Sequence, residues 1–328
     1  MSHTADAQAI LMLCSHLGLG RQPDPAPLTL RDWNPLAQAI FNSSLSRPGN
    51  LLGLSAEELA GELSIQPEQA DRCAQLLSRG GALAIELERL QSNGIWVLTR
   101  ADEDYPTKYR QRLRQSAPAV LFGAGEKELL GQPGLAIVGS RHLSPLLEEV
   151  AKQVGNLCGR SGLVLYSGGA KGVDNLSTGA ALQARGSAVS VLAHSLERAI
   201  RAPDVREGVA DGNLALCTPY APSAGFSVGA AMGRNKLVYA LADYALVVSS
   251  DKEKGGTWAG ATEALSKGWA PVFVLSGDDM PDGNSALVQK GAHPFPAHII
   301  NSELDLPEWL TANTGSPPPA KTVQGQLL

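Results

Sequence analysis

The stretch Leu163-Val164-Leu165-Tyr166-Ser167-Gly168-Gly169-Ala170-Lys171-Gly172-Val173-Asp174 runs from an apolar segment through three glycines into a helix-like segment, Asp174 to Ala184. An unbroken apolar run of this length reads as a strand buried on both faces, as a parallel sheet requires. The glycines read as a tight turn and the following segment as a helix. At such a junction the first helical N–H groups have no intrahelical partner and carry partial positive charge. The place suits a phosphate or another anion, and Lys171 adds a full positive charge beside it.

The same unit recurs on both sides of this stretch. Strands are expected at Leu135 to Val138, Leu163 to Tyr166, Ala188 to Ala193, Leu214 to Cys217, Ala245 to Ser249 and Pro271 to Leu275. Helices fall between them at Pro145 to Cys158, Asp174 to Ala184, Pro203 to Val209, Ala230 to Leu241 and Ala259 to Lys267, with a last one at Gly283 to Lys290. Apolar strands alternating with helices specify an α/β domain, a doubly wound, Rossmann-like and mostly parallel sheet. We assign residues 93–300 to it. Its first part holds two short strands, Ile95 to Thr99 and Ala119 to Phe122. Between them Asp104-Tyr105-Pro106 opens a segment bearing Lys108, Arg110, Arg112 and Arg114. That segment reads either as a solvated helix face or as a local positive strip.

Residues 1–92 read as a small helical N-terminal domain of SAM or helix-hairpin-helix type. A helix within Ala7 to Leu17 is ended by Pro23, Pro25 and Pro27. Trp33, Leu36, Ala37, Ile40 and Phe41 follow at helical spacing. Ser55 and Glu58 form a capping-box signature, and Pro67 suits a first helical position, with Ala70, Cys73, Ala74 and Leu77 as the apolar face. A further helix, Ala82 to Gln91, stops at Asn93-Gly94. Residues 301–328 read as one short helix and a flexible tail from Thr314.

Composition narrows the function. A length of 328 residues with 44% hydrophobic content allows one large domain and a smaller one. A net charge of −5 argues against coating of duplex DNA through the global field, so nucleic-acid contact here needs a local patch. With 5% aromatics, an aromatic base-stacking sheet is disfavoured. Cys14, Cys73, Cys158 and Cys217 are widely spaced and form no metal or disulfide pattern, which points to reduced thiols in a cytoplasmic protein without a metal site. Residues 1–9 lack a basic n-region, and the apolar run Ile10 to Leu13 is too short to span a membrane.

Ligands of doubly wound sheets bind outside the carboxyl ends of the strands. Three glycine-bearing junctions are expected there: Gly139-Ser140-Arg141, the Ser167 to Gly172 loop, and Gly255-Gly256-Thr257. Arg141 and Lys171 beside exposed backbone donors make a phosphate or nucleotide pocket the favoured reading. A fourth constellation, Gly233-Arg234-Asn235-Lys236, sets two cations around an asparagine that could meet phosphates and a base edge. Known fingerprints fail. Gly168, Gly169 and Gly172 do not make GxGxxG, and Ala193-His194 supplies no acid for a ribose. Lys171 precedes Gly172 rather than Ser or Thr, which excludes a Walker A loop, and neither GxSxG nor HExxH occurs. No cofactor and no catalytic residue is therefore expected.

From about Gly94 to Ala292 the chain resembles the DNA-processing protein A (DprA/Smf) family. The resemblance rests on Asp104-Tyr105-Pro106 with Pro118 and Leu121-Phe122, on Ile137-Val138-Gly139-Ser140-Arg141, and on Ser167 to Asp174 with Ala181-Leu182. It continues in Arg234-Asn235-Lys236, similar to the family's Arg-Asn-Arg, and in Gly283-Asn284-Ser285-Ala286-Leu287 with Gly291-Ala292. It implies a Rossmann-like core that binds single-stranded DNA, forms homodimers and delivers incoming DNA to a RecA-type recombinase during natural transformation. By motif match, Arg141, Lys171, Arg234 and Lys236 would touch phosphates. Gly139, Ser140, Ser167, Gly168 and Gly169 would offer donors, and Asn235 would hold the loop or a base. The chain departs from the family pattern at Thr178, where a His is usual, at Phe226-Ser227 in place of Phe-Pro, at Lys236 and at Ser276-Gly277; residues 301–328 leave no room for the family's common winged helix. The alternative is a nucleotide-binding or nucleotide-hydrolysing protein of LOG type, or a nucleotide sensor in anti-phage defence. It rests on Gly255-Gly256-Thr257 followed by Glu263, six residues on rather than three.

Overall fold

The computed structural model describes residues 3–20 and 22–314; the tail expected after Thr314 lies outside them. The chain divides into two compact units. One comprises the residues up to Tyr105 together with Arg114–Phe122, and the other Pro106–Leu113 together with the residues from Gly123 onward. The first unit thus takes in two segments beyond the 1–92 expected for it.

The first unit is built on α1 (Ala5–Cys14), α2 (Leu30–Asn42), α3 (Ala56–Leu63), α4 (Pro67–Leu77) and α5 (Gly80–Ser92), with strands β1 (Trp96–Thr99) and β2 (Val120–Ala124) as neighbours. The Ser55/Glu58 capping box forms as the spacing predicts, and Pro67 opens α4. The buried face of α4 is Ala70, Cys73 and Leu76 rather than Ala74 and Leu77. Trp33, Leu36 and Ile40 of α2 are buried with Ile10, Leu11 and Leu13 of α1. The Arg79 guanidinium ties α1 down by donating to the carbonyls of Leu11 (3.1 Å), Ser15 (2.8 Å), Met12 and Leu17. The contacts fall on the last turn of α1 and the residues just after it, where helix carbonyls run out of intrahelical partners.

The second unit carries α6 (Thr107–Leu113), β3 (Gly134–Gly139), α7 (Pro145–Arg160), β4 (Val164–Ser167), α8 (Val173–Gln183), β5 (Ala188–Val191), α9 (Leu196–Ala199), α10 (Pro203–Ala210) and β6 (Leu214–Thr218). It continues through α11 (Val228–Leu241), β7 (Tyr244–Ser249), α12 (Gly255–Lys267), β8 (Val272–Ser276), α13 (Asp282–Gln289), β9 (His293–Pro296) and α14 (Leu306–Ala312). Its strands run in the order β6-β5-β4-β3-β7-β8-β9, every neighbouring pair parallel. Residues of β3 to β8 are buried almost throughout, which is why they are apolar at successive positions. This is the doubly wound sheet expected.

Two features differ from expectation. Strand β9, His293-Pro294-Phe295-Pro296, has no counterpart among the expected strands; prolines cannot donate to a ladder and are tolerated at the sheet edge where β9 lies. Two of the four basic residues expected on a solvated face or positive strip, Lys108 and Arg112, are half-buried and engaged within the protein. Lys108 Nζ donates to Asp243 Oδ2 (2.9 Å) and to the Gln132 carbonyl (2.9 Å), and Arg112 donates to the carbonyls of Ala240 (3.1 Å) and Ala242. Asp243 also accepts the Gly134 N–H at 3.0 Å. These two cations, one turn apart, anchor the chain between α11 and β7 rather than facing a ligand.

Candidate functional site

The chain enters this sheet at β3, proceeds outward through β4, β5 and β6, then returns to β7 on the other side of β3. The gap between the carboxyl ends of β3 and β7 is therefore the topological switch point, where doubly wound sheets take their ligands. A cavity of about 350 Å³ opens there. The end of β3 with Ser140 and Arg141, one stripe of α11 (Ala231, Arg234, Asn235, Val238, Tyr239) and the first turn of α12 line it.

The glycine loop does not present its donors to this cavity. Asp174 of α8 folds back, and its Oδ2 accepts the N–H of Gly168 (3.0 Å) and of Ala170 (3.4 Å). Ser167 is buried; its Oγ lies 3.1 Å from Thr178 Oγ1 and 3.4 Å from Ser190 Oγ, and accepts the Gly169 N–H at 3.4 Å. The donors expected of Ser167, Gly168 and Gly169 are consumed within the protein. The carboxylate stands where an anion would have stood. At the neighbouring junction the Ser140 N–H donates to the Ser249 carbonyl (3.0 Å), and the Ser140 carbonyl accepts from Val173 (3.3 Å). Gly139 and Ser140 do line the cavity, but the Ser140 backbone is spoken for. Gly172, at φ +83°, lets these junctions meet: a Cβ there would lie 2.3 Å from the Ser140 carbonyl oxygen.

Of the four cations expected, the structure brings two to the cavity. Lys171 is exposed and Lys236 half-buried, and neither lines it. Lys236 follows Arg234 by two positions, which on a helix do not share a face. Arg234 is 5% exposed. Its guanidinium lies against Gly168, so close that a Cβ on that residue would sit 1.3 Å from Nη1. Among the described residues its Nε has no hydrogen-bond partner, and neither has the buried hydroxyl of Tyr239. Burial holds Arg234 below the usual guanidinium range, against the pull of the Asp174 charge. Burial raises Asp174 above the usual carboxylate range, outweighing Arg234 and the Ala170 and Gly168 N–H groups.

Arg141 stands at the mouth with its guanidinium carbon 5.4 Å from the centroid of Phe226, whose ring is 54% exposed. Val228 and Met232 are exposed beside it. An exposed ring with a cation over it can accept a base by stacking. Asn235 also lines the cavity, and its Nδ2 donates to the Gly256 carbonyl at 3.0 Å. Gly255, Gly256 and Thr257 are the first turn of α12, not a loop before it; the helix begins four residues earlier than the expected Ala259. Glu263 is exposed and does not line the cavity. Asn284 explains its own motif: it accepts the Ser250 N–H (2.9 Å) and donates to the carbonyls of Val248 (3.0 Å) and Leu275 (2.9 Å), clamping the ends of β7 and β8.

Sequence reasoning missed Asp174 as the occupant of the loop, Tyr239, and Phe226 as a wall. An acid in the first helical turn after the glycines was the available signal for Asp174, because a short carboxylate there reaches back to free N–H groups. The helical stripe from Arg234 to Val238 and Tyr239 would have separated Arg234 from Lys236. No group of three or more His, Cys, Asp or Glu side chains able to hold a metal occurs among the described residues.

Fold and cavity together define a doubly wound α/β protein with a cationic, partly unpaired pocket at its switch point. Residues 96–303 match the family model of DNA recombination-mediator protein A, and the chain belongs to that family. It is 27% identical over 212 residues to DNA processing protein DprA of Bacillus subtilis, a match spanning 63% of this chain and 70% of that protein. It is 31% identical over 183 residues to DNA processing protein DprA of Streptococcus pneumoniae, spanning 54% and 63% respectively. The crystal structure of DNA processing protein A from Streptococcus pneumoniae superposes with a TM-score of 0.66 at 22% identity, covering 93% of this chain and 99% of that one. A structure of DNA processing protein A from Helicobacter pylori, concerned with its single-stranded DNA binding mode, gives a TM-score of 0.53 at 26% identity, covering 63% and 94%.

Proposed function

We propose that this protein binds single-stranded DNA at the switch-point cavity and does so without catalysis. The observation that carries the reading is Arg234, buried in the cavity wall with an unpartnered Nε, beside the Arg141–Phe226 stack. A buried guanidinium with unused donors seeks a phosphate, and an exposed ring takes a base. The single-stranded DNA binding of the Helicobacter pylori relative supports the same reading. The strand is incoming or foreign DNA, passed on to a recombinase by a homodimer; the family's designation as recombination mediators supports this part. A cytoplasmic setting accords with four unpaired thiols, of which burial pushes Cys73 up to about 11 and Cys158 and Cys217 up to about 12. No helix among the described residues is long and apolar enough to cross a membrane.

The test is anisotropy of labelled single- and double-stranded oligonucleotides across a salt series. Two phosphates neutralised by Arg141 and Arg234 predict a log–log slope of about −1.4 for single strands, twice the roughly −0.7 per contact. Arg141→Gln and Arg234→Gln should each flatten it by about 0.7. Salt-independent binding, or affinities untouched by both substitutions, would refute the reading.

A further inference from the structure

Outside the cavity, the carboxyl end of β5 carries a second set of basic side chains. His194 follows closely on β5, is half-buried and does not line the cavity. The glycine loop bridges the cavity wall and this strand end. Gly168 lies against the Arg234 guanidinium, while a Cβ on Gly169 would lie 2.8 Å from Leu192 Cδ2 and 3.5 Å from Ser190 Cβ. On the far side Arg198 is exposed on a turn that is held in place. Its N–H donates to Ser195 Oγ (3.2 Å), and the Ser195 hydroxyl and the Glu197 N–H both donate to the Pro222 carbonyl, each at 3.1 Å. Among the described residues neither the His194 imidazole nor the Arg198 guanidinium has a hydrogen-bond or ion-pair partner. The acids of the flanking elements are engaged: Asp174 holds the Gly168 and Ala170 amides, and Glu197 has an interaction of its own. Tyr220 spends its hydroxyl on the Ala230 carbonyl (2.8 Å), and Lys171 and Arg201 are exposed. Burial lowers His194 below its ordinary range, and the charges of Arg234 and Arg198 lower it further.

We propose that His194 is a proton-gated phosphate contact at the end of β5: neutral in the free protein, its imidazole takes up a proton when a strand phosphate settles between it and Arg198. Two guanidinium charges with no anion among them disfavour an imidazolium, and a phosphate reverses that balance. The charged ring then donates to the phosphate through a charge-assisted hydrogen bond. The inference rests on the strand-binding reading above. It carries the strand beyond the cavity towards β5 and makes its affinity depend on pH.

The experiment is anisotropy of a labelled oligothymidylate with the full chain, from about pH 8 to about pH 5.5 at constant ionic strength, the range in which histidine ordinarily changes charge. The bound state holds a proton that the free state lacks. Affinity should therefore rise as pH falls through the bound-state pKa and level off below the free-state pKa, a gain of roughly threefold to tenfold. His194→Gln should lose most of that gain, while any slope due to Asp174 persists in it. By NMR, the His194 ring of the parent should titrate below about 6.5 when free and above it when the strand is bound. Arg198→Gln removes one of the charges that keep the ring neutral, so the free ring should titrate higher and proton uptake on binding should shrink. Strand binding whose pH profile His194→Gln leaves unchanged overturns the contact and leaves the strand reading intact. So does a ring whose titration the strand does not move. Absence of strand binding at every pH overturns both.

Discussion

Gly168→Ala tests whether the glycine loop is shaped for Arg234 rather than for a ligand. The added carbon would lie 1.3 Å from Arg234 Nη1, 2.2 Å from Cζ and 2.6 Å from Nη2. Non-bonded heavy atoms are comfortable at roughly 3.5–4.0 Å, so the guanidinium must retreat by about 2 Å. It is the end of a flexible side chain, so the backbone need not shift, and the cost belongs in the lower part of the overpacking range, about 1–2 kcal/mol. For a unit of this size that lowers the melting temperature by about 2–8 °C, at roughly 2–4 °C per kcal/mol. A displaced guanidinium also forfeits its phosphate. Loss of a charge-assisted hydrogen bond, about 1.5–3 kcal/mol, weakens strand binding by roughly one to two orders of magnitude. The assay is a double-mutant cycle with Arg234→Ala, read by thermal melting and by anisotropy. With the guanidinium already removed, alanine at 168 should cost little in either readout. Additivity of the two substitutions within about 0.5 kcal/mol would refute the argument, because it would show that the two residues do not compete for one space.

Four further outcomes are expected. Burial raises Asp174 in the folded state above its ordinary value of about 3.9, so the fold binds its proton more tightly than the unfolded chain does. Its contribution is therefore fully present below about pH 4 and is lost as pH rises through the raised pKa, a dependence that denaturant melts should show and Asp174→Asn should flatten. Asn284→Ala leaves the Ser250 N–H and two strand carbonyls without their partner and should cost about 2–4 kcal/mol in urea unfolding. Phe226→Ala removes an exposed ring, so melting should not change while strand affinity falls by about 1–3 kcal/mol. Lys108→Met strips Asp243 of one partner and should destabilise by about 1–3 kcal/mol while strand affinity is retained, which checks that the basic residues of α6 are structural.

The alternation of apolar runs with helices is written locally, and each run is apolar because a parallel strand is covered on both faces. Hence β3 to β8 and the doubly wound architecture are legible in the chain. So are Ser55/Glu58 and Pro67, whose partners lie within a few residues. The meeting of Gly139-Ser140-Arg141 with the first turn of α12 follows from strand order, which places β7 beside β3 and which alternation alone leaves open. Strand β9 was hidden because edge pairing tolerates the two prolines that its sequence advertises as loop.

What the glycine stretch does was decided in three dimensions. From the sequence, Ser167 to Asp174 reads as a cradle for an anion. In the fold, Asp174 reaches back to the amides of Gly168 and Ala170, and Gly168 lies bare so that Arg234, 66 positions along the chain, can lie upon it. Lys108 and Arg112 find Asp243 across more than 130 residues. Local periodicity determines which segments are strands and helices, because backbone hydrogen bonding and side-chain burial repeat along the chain. The partner of a charged side chain is chosen by proximity after packing, and no local pattern encodes that choice.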